Sequence, residues 1–453
     1  MTTAARIDKV LSIRDNHLWM EGCDTVELAE EFGTPLFVMS ETQLRSNYRA
    51  IKAAFQSAWS WGPVEVLPSI KANYTLAIRR VLVEEGAGCD TFGSGELHAA
   101  LRAGTTAAQI SVNGSAKGAA LIDSAVEAGA SITLDSEREL DLVISAVQRL
   151  GRPARIRLRL RPEYADLSEP SDFLPSMSIR DAAQLYKPGI EPHLAREIGL
   201  RALATPGIEL AGLMAHLGRH SAEPEVWAKM ASSFGETVAA LCHAWHPWRA
   251  QELDIGGGFP SPRDPSSPQR RRAPPLEALA RNIALALRAS LTRGNVDPHG
   301  IKLQVEPGRS LFADAGLHLA RVCHIKSQRV PKEHTWIEVD TTEMFLPDLF
   351  IERARFTPVF ASQAAMEPQS TAHIVGVSCG YDVLAQSVRV PVVGIGDVVA
   401  FLDTGAYQDA AASNFNVLPR PATVLVQGER RQLVKRRENI SDLFARDVSE
   451  GGL

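Results

Sequence analysis

The sequence has little cysteine and no pattern that pairs it. Five cysteines in 453 residues (Cys23, Cys89, Cys242, Cys323 and Cys379) are an odd number, widely spaced and without a CxxC pair, so neither a disulfide framework nor a structural zinc site is indicated. A reducing cytosol is the expected compartment. Basic charge is not in excess either: 48 Lys and Arg stand against 53 Asp and Glu, a formal −5, which excludes a global field for nucleic acid or an anionic membrane. Long apolar runs are missing, since VPVVGIGDVVAFL is interrupted by Asp397. The N-terminal MTTAARIDKVLSIRDNHLWMEG scatters charge where a signal peptide needs an apolar core. A soluble, unprocessed protein with a small-molecule partner is expected, and no metal. What is present is an ordinary 45% of hydrophobic residues, enough to bury a large core and to exclude disorder.

From about residue 35 to 310, short β-rich runs alternate with Ala/Leu/Arg-rich helical stretches, the pattern of repeated βα units around a parallel sheet. Candidate strands are Pro35–Met39, Glu65–Ile70, Gly88–Phe92, Gln109–Val112, Ser131–Leu134, Arg155–Leu160, Leu210–His216, Glu252–Ile255 and Lys302–Glu306. They suffice for a closed (β/α)8 barrel with one to spare. After residue 315 the texture changes to short, β-branched, turn-bounded runs such as HTWIEVD, TAHIVGVS, SVRVPVVG, DVVAFLD and ATVLVQG. The fold class is therefore α/β: a barrel over 36–312 and a discontinuous all-β domain from 1–35 and 313–453, because KVLSIRD and HLWMEG also read as strands. Two polar stretches interrupt the barrel, Pro162–Pro188 and Pro260–Pro275, each a disordered insertion or a lid. Arg270, Arg271 and Arg272 in the second read as a solvated loop.

Chemistry is concentrated at strand ends. In LPSIKANY, Lys71 closes an apolar run at a position that a barrel places at its mouth. A desolvated lysine there is a candidate Schiff-base nucleophile, although taken alone it reads first as a snorkelling side chain. Asp254 is followed by Ile255 and then Gly256, Gly257 and Gly258, a triplet that either cradles a phosphate with backbone N–H groups or simply makes a tight turn. Glu306-Pro307-Gly308-Arg309 ends another strand with an acid and a base together, and His216 closes GLMAHLG. A lone strand-end histidine is more often structural.

Taken in order, these segments resemble the pyridoxal-phosphate-dependent decarboxylases of the alanine-racemase-like fold, in particular their diaminopimelate decarboxylase branch. The resemblance runs through IKAN, GCDTFGSGEL, VNGSAK, LDSEREL, RLRP, KPGI, HLG, the glycine triplet, EPGR, GAY and SNFNVLPRPATVLV. It implies that Lys71 holds pyridoxal phosphate as a Schiff base, that Glu306 meets the pyridinium nitrogen, and that His216 stacks on the ring. It further implies a cofactor shell of Asp90, Gly256, Gly257, Gly258, Gly308, Arg309 and Tyr407. Cys379, in SCGYDVLA, resembles the family's proton-returning cysteine, which comes from a second subunit; a homodimer with shared active sites is thus implied. The other cysteines are read as structural.

Departures from the family's pattern fall where substrate is chosen. In the family the cysteine is followed by a glutamate, with an aspartate four positions on; here Gly380 follows Cys379 and Asp382 stands three on. In TTEMFLPDLF, Leu346 and Phe350 occupy positions usually held by an arginine and a tyrosine that bind a distal carboxylate. With Arg309, Asp382 and Tyr407 as the remaining substrate contacts, diaminopimelate is expected not to be the best substrate. An amino acid with a less polar far end, from specialised metabolism, is expected instead. Two alternatives stand beside α-decarboxylation. One is racemisation or epimerisation with the same cofactor, which Glu306 disfavours because the alanine-racemase branch usually meets the ring nitrogen with arginine. The other is a non-catalytic regulatory relative.

Overall fold

The computed structural model describes residues 10–161, 163–172, 174–218, 221–261, 263 and 273–448. These fall into two compact units, one of 47–261 with 273–311, the other of 10–46, Arg263 and 312–448. The expected junctions at 35 and 312 thus compare with divisions at 46 and 311. Most of the Pro260–Pro275 stretch, with Arg270, Arg271 and Arg272, lies outside the described residues, as does Pro162.

The first unit is a parallel barrel. Its strands are β1 (Val64–Val66), β2 (Cys89–Thr91), β3 (Ile110–Val112), β4 (Ser131–Leu134), β5 (Ala154–Arg159), β6 (Ile208–Met214), β7 (Glu252–Asp254) and β8 (Lys302–Val305). Neighbours pair in the order β1-β8-β7-β6-β5-β4-β3-β2, all parallel. The ring closes between β1 and β2 through a parallel bridge from Ser69 to Asp90 and a 3.1 Å bond from the Gly88 N–H to the Val66 carbonyl. Helices cover the outside, so strands such as β4 are buried throughout, Ser131 and Thr133 included. Each fully buried Ile or Leu in them is worth about 2 kcal/mol. The helix Glu137–Leu150 shows how the outer layer is coded: Leu140, Val143 and Ala146 are buried on one face, and Gly151 ends the helix at φ 64°.

The second unit is β-rich. Its long strand Gly316–Gln328 pairs antiparallel with Leu36–Ser40, Val398–Leu402 and His334–Val339, and Ala422–Gln427 lies parallel to Leu36–Ser40. A separate antiparallel sheet holds Leu11–Arg14, His17–Met20 and Cys23–Asp24. Leu36 and Val38 enter one apolar core while Phe37 enters another, as the period of two dictates. This corrects the reading of Pro35–Met39 as a barrel strand: it is the spare one, and it belongs to the β sheet. A run buried on both faces looks the same in a barrel wall and in the middle of a sandwich. No helix among the described residues is long and apolar enough to cross a membrane.

Candidate active site

At the carboxyl end of the barrel the chain leaves regular structure in ways its residues explain. β1 stops at Val66 rather than Ile70, because Pro68 has no N–H for the ladder. Lys71 consequently sits in a single 3-10 turn, Ile70–Ala72, instead of at the strand's end. β6 likewise stops at Met214, so His216 lies beyond it, whereas Glu306 directly follows β8. One pocket gathers Lys71, Asp90, His216 and Glu306, together with Phe92, Asn113, Arg159 and Met214.

The Lys71 Nζ lies 3.7 Å from Asp90 Oδ2, which also accepts the Ser69 hydroxyl at 2.6 Å. Asn113 Nδ2 donates to Asp90 Oδ1 at 2.7 Å and to Glu306 Oε1 at 2.5 Å. Beneath them the wholly buried Arg157 donates to Asp254 Oδ2 at 3.2 Å, to Gln304 Oε1 and to the Ser111 hydroxyl. Burial, then the nearby Asp254 and Asp90, hold the Glu306 carboxyl well above the ordinary carboxylate range. Burial also raises Asp254, against the pull of Arg157. Adjacent buried acids resist ionising together, so a cation presented to this group favours its ionised form.

The glycines join strand ends at backbone contact. Gly256 has φ +69°, and a Cβ there would stand 2.8 Å from the His216 ring; one on Gly257 would stand 2.0 Å from the Glu306 carbonyl oxygen. Gly308 precedes the short helix Arg309–Phe312, whose Arg309 is buried.

The Pro162–Pro188 stretch contains a helix, Ile179–Leu185, and lends Tyr186, Lys187 and Pro188 to the pocket. Its ends are clamped together by bonds from the Arg161 N–H to the Ile190 carbonyl and from the Ile190 N–H to the Arg159 carbonyl, both 2.8 Å. The Gly189 N–H donates to Asp135 at 2.7 Å, and the Asp135 N–H donates to Glu139 at 2.7 Å. Glu139 also forms a 2.8 Å ion pair with Lys117, both side chains buried. Asn113, Arg159 and Lys187 lie in the VNGSAK, RLRP and KPGI segments, to which no role had been given. The available signal for Asn113 was its place directly after a strand, the same place Glu306 holds after β8.

The other predicted residues belong to the β unit. Cys379 is exposed; its N–H donates to Asn416 Oδ1 at 3.0 Å, and Asn416 Nδ2 stands 3.4 Å from its sulfur. Of the cysteines read as structural, Cys23, Cys89 and Cys242 are buried but Cys323 is exposed, on the outer half of the long strand. Asp382 was expected to bind substrate, yet it is buried and its carboxylate accepts the N–H groups of Glu343 and Ser378, both at 2.6 Å, and the Thr342 hydroxyl at 3.2 Å. Its role is to tie two loops. Leu346, expected at the substrate, is wholly buried in an apolar core instead, because the turn after Thr342 points it inward. Phe350 is half exposed on the short helix Asp348–Ile351. Tyr407 opens the helix Gln408–Ala411 with φ 68°.

Residues 41–313, more than half of the chain, match the family described as pyridoxal-dependent decarboxylase, pyridoxal binding domain. The chain belongs to the pyridoxal-dependent decarboxylases. Diaminopimelate decarboxylase of Methanocaldococcus jannaschii is 28% identical over 97% of this chain and 96% of its own length. That of Pseudomonas aeruginosa is 29% identical, covering 96% of this chain and 97% of its own. The crystal structure of the M. jannaschii enzyme with L-lysine superposes with a TM-score of 0.88 at 27% identity, covering 100% of this chain and 99% of that one. This decarboxylase is accordingly a carboxy-lyase of amino acids with pyridoxal 5'-phosphate as cofactor. The site fits that group: a lysine amine, a histidine ring and a buried carboxylate share one pocket, with glycines where a Cβ would strike His216.

Proposed function

We propose that this decarboxylase removes the α-carboxylate of diaminopimelate or a close relative of it, in a homodimer whose subunits share their active sites. The observation that carries the reading is the meeting of Lys71, Asp90 and Glu306 in one pocket. Full-length similarity to enzymes named diaminopimelate decarboxylase supports the substrate class. When bound, pyridoxal phosphate supplies an electron sink for the pair left by departing CO2. Lys71 would hold the cofactor covalently, and Asp90 would keep the lysine nitrogen in place. Glu306 would meet the ring nitrogen; a cation presented there favours its ionised form and offsets the burial that raises its carboxyl. Gly256, Gly257, Gly258, Gly308, Arg309 and Tyr407 would bind the phosphate.

Cys379, exposed on the single chain, would return a proton in the partner subunit's site. Its exposure is what such sharing requires.

A second reading is favoured by Leu346 and Gly380. With Leu346 in the core and glycine after the cysteine, this chain lacks two groups with which the resembled family grips a distal carboxylate. That points to an amino acid with a less polar far end. The test is CO2 release by purified protein from diaminopimelate, lysine, ornithine and arginine, with Lys71→Ala as control. Turnover of diaminopimelate well above the others supports the first reading. Preference for another member supports the second. Undiminished CO2 release by Lys71→Ala would overturn both, since removing a covalent nucleophile costs on the order of a thousandfold or more.

A further inference from the structure

One amide stands between the two acids of the pocket, and the groups around it force its direction. An asparagine carries two protons on Nδ2 and an acceptor at Oδ1. The Ser111 hydroxyl accepts from Arg157, so its own proton is free for Asn113 Oδ1, 3.0 Å away. Both Nδ2 protons are then left for Asp90, at 2.7 Å, and Glu306, at 2.5 Å. The flipped amide would lose both donations to the carboxyl groups and leave the Ser111 proton without its acceptor. Asn113, Ser111 and Arg157 are 3%, 1% and 0% exposed, so leaving any of these groups without its bond is costly.

We propose that Asn113 is a positioning residue for the cofactor's ring nitrogen: it holds the Glu306 carboxylate in the direction that nitrogen needs, and Arg157 sets the amide's own direction through Ser111. The inference rests on the assignment of Glu306 to the ring nitrogen made above. The placement is rigid at both ends. Asn113 directly follows β3, with its N–H on the Thr91 carbonyl at 2.8 Å, and Glu306 directly follows β8, with its N–H on the Gly256 carbonyl at 2.9 Å. β3 and β8 are not neighbours in the barrel, because β2 and β1 lie between them. The amide therefore spans the mouth. A neutral donor suits that place: lysine or arginine would compete with the ring nitrogen for Glu306, and aspartate would add a third buried acid.

The experiment compares two cofactors on apo-protein by equilibrium dialysis. One is pyridoxal 5'-phosphate; the other is its deaza analogue, which has C–H in place of the ring nitrogen. Wild type is expected to bind the natural cofactor more tightly. Asn113→Ala should lose about tenfold in affinity for it, the worth of one charge-assisted hydrogen bond, while the deaza analogue binds as before. Ser111→Ala, a gentler change, should shift the same preference by about threefold. Equal weakening toward both cofactors would mean a merely structural role and overturn the proposal, as would no weakening at all. A wild type that binds both cofactors equally would instead overturn the assignment of Glu306, and this inference with it.

Discussion

In the barrel, burial pushes the carboxyls of Glu306 and Asp254 up, and Arg157 restrains but does not cancel the effect. In the β unit, hydrogen bonding to Arg420 pulls Glu438 down to about 2 and Arg436 lowers Asp442, while burial raises Asp340. The buried Asp382 there is met by backbone N–H groups. Glu306, in the pocket, and Asp254 next to it are thus acids on which a bound cation can act. Glu438, Asp442 and Asp382 fasten loops instead.

That contrast can be broken in several places. Arg157→Met should destabilise the fold most, by about 3–5 kcal/mol, because Asp254 would stay buried without its cation and Glu252 would lose a neighbouring one; urea unfolding reads this directly, and a near-neutral result would show the barrel floor does not depend on its arginine. Cys379→Ala should leave that stability unchanged yet lower CO2 release about a hundredfold, as loss of a proton donor does. Full activity would remove Cys379 from the mechanism. Asp382→Ala should cost about 2 kcal/mol through the loop bonds it accepts, read as a lower melting temperature.

The pH predictions carry opposite signs. Folded Glu306 is raised above its ordinary 4.5, so between 4.5 and its elevated value the native apo-protein binds more protons than the unfolded chain. Stability should fall as pH rises through that window, by at most about 1.4 kcal/mol per unit, and Glu306→Gln should flatten the slope. Glu438 is lowered, so its contribution is present above 4.5 and is lost as pH falls toward about 2. Being at the surface it should amount to less than about 1 kcal/mol, and Glu438→Gln should erase it from acid-unfolding curves.

The barrel strands were legible as short β-rich runs bounded by turns, set between helical periods. The same rule misplaced Pro35–Met39, since local pattern does not say which sheet buries a run. Lys71, His216 and Glu306 were legible within motifs, although only Glu306 directly follows its strand. Asn113 was not assigned, because an asparagine's role depends on what faces it across the barrel, and sequence spacing carries no such distance. Leu346 and Asp382 were misread for a related reason: matching a motif position does not tell whether the side chain turns toward the pocket or into the core.

The clamp at Arg161 and Ile190 has a consequence for how this enzyme can change. The excursion between them leaves and re-enters the barrel at one hydrogen-bonded point, and Asp135, Glu139 and Lys117 hold that point from below. Lengthening such a loop at its exposed positions costs little, about 0.6 kcal/mol for each doubling, provided Tyr164, Leu167 and Ile179 stay buried. Tyr186, Lys187 and Pro188 therefore sit on an exchangeable cassette, so that one edge of the pocket can be rewritten while the residues that hold the cofactor stay as they are.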